Sequence, residues 1–200
     1  MTTLMDLTDI ARAAVEQVPP GRRFRQSDSD VITGQRDLLL GLEQDLVASF
    51  YDTLFAHPPT AAVFTEGERP TREDQLAHWW RRTVTGPHDE RYFAWMAMVG
   101  LVHVVRGVSN PMMLAMKDHV VDFVVDRTQE AGLHPEEADE LAAAFGRLFS
   151  TIAVIIAFGY DRAVTDALYS VAGMPEALLT RLRTQEALAS LARARQAGVS

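Results

Sequence analysis

From Arg91 the chain reads Arg91-Tyr-Phe-Ala-Trp-Met-Ala-Met-Val-Gly-Leu-Val-His103-Val-Val-Arg-Gly-Val108. Between Tyr92 and Val105 it carries no Asp, Glu, Lys or Arg and a single imidazole, His103. At helical spacing Val99 and Met96 share the face of His103, with Tyr92 further back, so the imidazole ends an apolar stripe. A lone histidine in such a stripe is most often a core side chain bonded to a carbonyl. The other chemistry open to it is metal ligation, in which a neutral imidazole gives one nitrogen to iron while a carbonyl or water holds the other N–H. A helix that is apolar all the way round has no solvent face, so both sides need cover. Protein can cover one side, and a flat apolar group with an open metal position can cover the other. Such a group is haem, with His103 as axial ligand.

Two further segments could form the opposite wall. Val47, Tyr51, Leu54 and Phe55 fall on one helix face with Phe50 beside them, which turns the Tyr51 phenol inward. Tyr51 reads either as a buried tyrosine bonded to backbone or as a hydrogen-bond donor to a diatomic gas that carries partial negative charge. In Asp74-Gln-Leu-Ala-His-Trp-Trp-Arg-Arg82, Leu76 and Trp80 are one turn apart, with Gln75 and Trp79 next to that face. Paired tryptophans usually belong to a core, and His78 beside arginines reads as facing solvent. As a wall opposite His103, Leu76 and Trp80 would supply bulk and Gln75 a second polar group, while Phe50, Met96, Val99 and Met113 would complete an apolar lining.

Composition narrows the chemistry. The 200 residues are 48% hydrophobic and 23% charged, which suits one globular domain with a substantial core. A net charge of −8 argues against a nucleic-acid partner. The absence of cysteine removes disulfides, thiolate ligation, iron–sulfur clusters and a cysteine nucleophile. None of the six histidines recurs at the two-ligand helical spacing of a zinc enzyme. The N-terminus lacks the basic start and long apolar run of a secretory signal. The uncharged run between Leu148 and Asp161 falls short of the ~20 residues of a membrane helix. The expectation is a soluble, cytoplasmic protein with no membrane partner.

Helix punctuation is frequent and strand signals are nearly absent, so the class is all-α, with about eight helices. One helix is expected over Thr2 to Gln17. A second is capped around Ser27 to Asp30 and runs, bent at Gly41, to about Ala56. A third starts with Thr71 and Asp74 as a capping box and ends near Thr85. Asp89 starts the His103 helix, which Gly107 ends. Asn110-Pro111 then opens a helix to about Ala131, and Pro135 opens the longest, to Ala172. After Gly173, Pro175 begins the last, reaching Gln196.

The ordered set of Phe50-Tyr51-Asp-Thr-Leu54, His78-Trp79, Gly86, Tyr92 and Val99-Gly100-Leu-Val-His103-Val-Val-Arg-Gly107-Val108 resembles the globin domain of globin-coupled sensors and protoglobins. The similarity covers roughly Ser27 to Ala172, and residues 2–17 resemble that family's extra N-terminal helix. The resemblance implies a globin fold with an extra N-terminal helix and an extended C-terminal one. It divides the chain into a haem-binding domain at 1–172 and a helical extension at 173–200, without an output domain. It implies haem b, His103 as proximal iron ligand and Tyr51 as distal donor, with Gln75 also on the distal side. Two departures stand out. Trp95-Met96-Ala97-Met98 replaces a basic pattern, and Met112-Met113 replaces an aromatic pair, so Met113 cannot steady the histidine by hydrogen bonding.

The function implied is reversible binding of O2, with CO or NO as further ligands, in gas sensing, and a separate signalling partner would read the output. Two alternatives remain open here. One is NO dioxygenation or peroxide chemistry at the same haem, for which the chain has no flavin motif and needs an outside electron donor. The other is a haem-free globin-like interaction module, against which His103 and Tyr51 both weigh. A non-enzymatic role is favoured. A homodimer is also expected. From Pro135 to Ala172 a helix spans about 57 Å at ~1.5 Å per residue, and its middle is apolar on more than one side. The 111–131 helix offers Val120, Val121, Val124 and Val125, so two copies of the 111–131 and 135–172 helices could form a four-helix bundle.

Overall fold

Capping side chains and glycines set where each helix begins and ends. The computed structural model describes residues 6–198, and all their regular structure is helical. Helix α1 (Leu7–Glu16) starts at Asp6, whose carboxylate accepts the Asp9 N–H at 2.8 Å. The start expected at Thr2 lies outside the described residues. A 3₁₀ turn (Pro20–Arg22) follows. The single bent helix expected up to Ala56 is three: α2 (Gln26–Gly34), α3 (Arg36–Gly41) and α4 (Glu43–Ala56). The bend expected at Gly41 falls at the α3–α4 break. A second break follows Gly34, where glycine weakens the helix. Asp28 caps α2 by accepting the Arg25 N–H at 2.9 Å.

After the short α5 (Pro58–Ala61), α6 (Arg69–Thr85) begins two residues before the expected cap at Thr71. The Glu68 carboxylate accepts the Thr65 N–H and hydroxyl at 3.0 Å each and so sets the turn into α6. Pro70 sits in the first turn, where a missing N–H costs no hydrogen bond. Helix α7 (Glu90–Arg106) starts as expected, with Asp89 accepting the Tyr92 N–H at 2.9 Å. It ends at Gly107, whose φ of 71° is the left-handed cap conformation. Ser109, one residue before the expected Asn110, caps α8 (Asn110–Glu130). Helix α9 (Pro135–Ala172) and helix α10 (Glu176–Gln196) complete the chain.

Two compact units are present, one ending at Gly159 and the other starting at Tyr160, within α9. The sequence places its division after residue 172. The second unit holds the end of α9 and α10. There Arg162 pairs with Asp166 at 3.0 Å, and Leu179 is the buried residue of an otherwise exposed α10.

In the first unit the centre of α9 is the core. Phe145 stacks on Trp80 with ring centroids 5.9 Å apart, and Phe149 lies 5.8 Å from Trp79. Arg147 reaches Asp28 on α2 at 2.5 Å, and Thr151 accepts the Phe24 N–H. Burial opposes ionisation of Asp28, but Arg147 and the Arg25 N–H hold its pKa below the ordinary value. Leu148, Phe149, Ile152, Ile155 and Ile156 are all buried, as are Val120 and Val124 of α8. Of the α8 valines that the homodimer expectation names, Val120 and Val124 are thus buried within the chain's own fold, and Val121 and Val125 are half-exposed. Helix α9 is long and apolar enough to cross a membrane, yet 56% of its most apolar window is buried inside the fold.

Helices α7 and α9 cross at glycines. A Cβ on Gly100 would stand 2.8 Å from the Ile156 carbonyl oxygen, and Gly159 faces the Ala97 carbonyl in turn. This contact fixes the depth at which α7 sits, one turn before His103. Replacing Gly100 with Ala should destabilise the protein by about 1–3 kcal/mol, because backbone and not a flexible side chain must give way. Gly146 of α9 has nothing within 4 Å of a Cβ, so Gly146→Ala should stabilise by about 0.5–1 kcal/mol through helix propensity alone. Urea denaturation of the two variants checks the contrast, and equal effects would contradict the close crossing.

Candidate functional site

The first unit contains a cavity of about 750 Å³, walled by α4, α6, α7, α8 and α9. That volume lies within the range of about 300–1,000 Å³ typical of ligand and cofactor sites. Its α7 wall includes Trp95, Met96, Val99, Val102, His103 and Arg106, which recur at helical spacings of three and four. The neighbouring stripe of Tyr92, Ala97 and Gly100 packs into the core, so α7 has cavity on one side and protein on the other. Met96, Met98, Met112, Met113 and Met116 all line the space. Their unbranched thioethers adapt to an irregular apolar surface better than branched side chains do.

His103 is half-buried on this wall, and among the described residues no group hydrogen-bonds its ring. Burial lowers its pKa, so at neutral pH the imidazole is uncharged and keeps a lone pair. Among the described residues no three His, Asp or Glu side chains gather as a bare-metal site. What His103 offers to the large apolar cavity is one neutral nitrogen donor.

Tyr51 faces the same cavity from α4 and is 6% exposed. Burial pushes its phenol up to about 12, so the O–H keeps its proton and acts as a donor. That donor is engaged: it bonds the Arg72 carbonyl of α6 at 2.9 Å. Phe50 and Phe64 pack edge-on against the ring, with centroids at 5.4 and 5.9 Å. Phe50, Leu76, Gln75, Met96, Val99 and Met113 all line the cavity.

Trp80 does not. Its indole N–H donates to the Leu39 carbonyl at 2.8 Å, and its ring stacks on Phe145 in the core. Trp79 takes the wall position instead. The lining stripe of α6 runs through Arg72, Gln75 and Trp79, and residue 80 lies a further ~100° round the helix, on the core side. His78, read from sequence as facing solvent, is exposed and also borders the cavity, with its ring 5.7 Å from Trp95. Arg72, Trp95, Arg106 and Lys117 line it as well, and the sequence reading assigned none of them to the site.

The charged groups join the two walls. Arg106, one turn beyond His103, donates to Glu68 at 2.6 Å and to the Val63 carbonyl at 3.1 Å. Arg72 pairs with the other oxygen of Glu68 and donates to Gln75 at 2.6 Å. The bond from Arg106, then those from Thr65 and Arg72, hold the Glu68 carboxyl well below the usual carboxylate range. Glu68 thus links the start of α6, whose Arg72 carbonyl holds Tyr51, to the end of α7. Replacing Glu68 with Ala should raise amide exchange at Thr65 and in the last turn of α7 on the order of tenfold, with the rest of the fold unchanged. Wild-type protection at those amides would contradict the link.

Over residues 22–163 the chain matches the family model for protoglobin. Among solved structures it is similar to the globin domain of a Geobacter sulfurreducens globin-coupled sensor. That similarity has 21% identity and a TM-score of 0.59, over 70% of this chain and 93% of that one. It shows the globin fold. No curated protein sequence matches the chain. The matched stretch runs from the 3₁₀ turn into α9 and contains every residue that lines the cavity. The chain belongs to the protoglobin family.

Proposed function

We propose that this protein is a haem-binding globin that takes haem b into the cavity, with His103 as axial ligand. It binds O2 reversibly, takes CO and NO as further ligands, and serves in gas sensing. The observation that carries this reading is His103 itself, a neutral imidazole on the wall of a 750 Å³ apolar cavity with no hydrogen-bond partner among the described residues. Haem iron held by one imidazole supplies an open coordination position for a diatomic gas.

On the opposite side Tyr51 supplies a protonated donor and Gln75 a second polar group. Because the Tyr51 O–H already bonds the Arg72 carbonyl, serving a gas ligand means exchanging one acceptor for another. That exchange is also a candidate signal, since Arg72 is tied through Glu68 to Arg106 beyond His103. On the other side, Gly107 and the Ser109 cap lead from α7 directly into α8, whose Met112, Met113 and Met116 share the cavity. Two arrangements of these helices, populated differently with and without gas, would form the output read by a signalling partner. A homodimer through α8 and α9 is part of the reading on narrower ground, the half-exposed Val121, Val125 and Phe158. A cytoplasmic location is part of the reading.

Replacing His103 with Ala should abolish stoichiometric haem uptake, or leave a pocket restored only by added imidazole. Circular dichroism should be unchanged, because the side chain faces a cavity. A normal Soret band and CO binding in His103→Ala would overturn the assignment. Replacing Tyr51 with Phe should speed O2 release by about three- to tenfold. The smaller, net value of a hydrogen bond applies, because the phenol gives up the Arg72 carbonyl to reach the gas. An O2 dissociation rate equal to that of wild type would remove Tyr51 as the donor.

A further inference from the structure

Among the described residues three cations line the cavity, and two of them share one partner: Arg72 and Arg106 both bond Glu68. Lys117 on α8 is placed differently. Its side chain is only 25% exposed, yet its ion partner is Asp118 at 2.7 Å, the next residue along and 67% exposed. Adjacent helical residues point ~100° apart, and such solvent-facing pairs contribute little. An ammonium has three N–H donors, and this contact uses one. On the cavity wall Lys117 stands among the apolar residues Met113, Met116 and Val120 of the same helix, at spacings of three and four from Val120 and Met113. Among the described residues the one acid on the lining is Asp74, on α6, which would repel an anion there.

We infer that Lys117 is the anchor for a carboxylate of the group held in the cavity, so the site is built for a planar apolar molecule with an acid at its edge. The inference rests on the haem reading, under which the carboxylate is a propionate. Arg106 stays on Glu68, which leaves Lys117 as the cation that sets which edge of the cofactor turns toward α8.

The test measures cofactor uptake and then transfer to an excess of apomyoglobin. Wild type, Lys117→Met and Lys117→Arg are each loaded with haem or with its dimethyl ester, which has no free acid. Haem should leave Lys117→Met about three- to tenfold faster than wild type, a modest factor because the site is partly screened by water. Lys117→Arg should match wild type, and all three should release the ester at one rate. A second readout needs no variant. Lys117 is the single lysine of the chain, so acylation of its ε-amine by an N-hydroxysuccinimide ester reports on this site. Haem should slow that acylation and the dimethyl ester should not. Normal haem uptake with equal haem release from wild type and Lys117→Met overturns the anchor alone. So does faster loss of the ester from Lys117→Met, which would make the lysine a packing residue. Failure of wild type to take up haem overturns both readings.

Discussion

The contact on which the site depends is the backbone approach of α7 to α9 at Gly100. Only a residue without Cβ fits there, since a Cβ on Gly100 would stand 2.8 Å from the Ile156 carbonyl oxygen. That approach turns the Tyr92, Ala97 and Gly100 stripe into the core and leaves Met96, Val99 and His103 facing open space. The second glycine of the segment, Gly107, takes the left-handed conformation that ends α7 one turn after His103 and hands the chain to α8. The two glycines flanking the imidazole therefore set its depth and its helix end, while the imidazole keeps its chemistry.

The opposite wall is placed by polar contacts. Trp80 is pinned to α3 by the Leu39 carbonyl and stacked on Phe145, which fixes the rotation of α6 and leaves Trp79, Gln75 and Leu76 toward the cavity. Glu68 then ties that helix to α7 through Arg106. The apolar interior is thus bordered by a small charged network whose members touch both walls. A change at the Tyr51–Arg72 bond has a continuous path of hydrogen bonds toward the helix of His103.

Much of this was legible in the residues. Asp89, Gly107, Pro135 and Gly173 bounded helices where the rules of capping place them, and the charge-free run from Tyr92 marked the helix with a wall to share. What the sequence concealed were choices between adjacent positions. Trp79 and Trp80 are chemically identical, and which one meets the cavity depends on a hydrogen bond to Leu39, 41 residues away in sequence. Thr71 with Asp74 formed a credible cap, but Glu68, anchored by Arg106, starts the helix earlier. How much of the apolar middle of α9 the chain itself covers depends on side chains and backbone remote in sequence, such as Trp79 and Trp80 of α6 and Gly100 of α7. The roles of Arg72, Arg106 and Lys117 required knowing which carboxylates were already engaged.

The central claim is that this cavity is a haem site, and it has a direct optical test. Trp79 and Trp95 line the cavity, and Trp80 lies 6.3 Å from Trp79, so all three tryptophans report on it. Haem added stepwise to the haem-free protein should quench tryptophan fluorescence and raise a Soret band together, both saturating at one equivalent. Uptake without quenching, or quenching that climbs past one equivalent with no Soret band, would contradict the account.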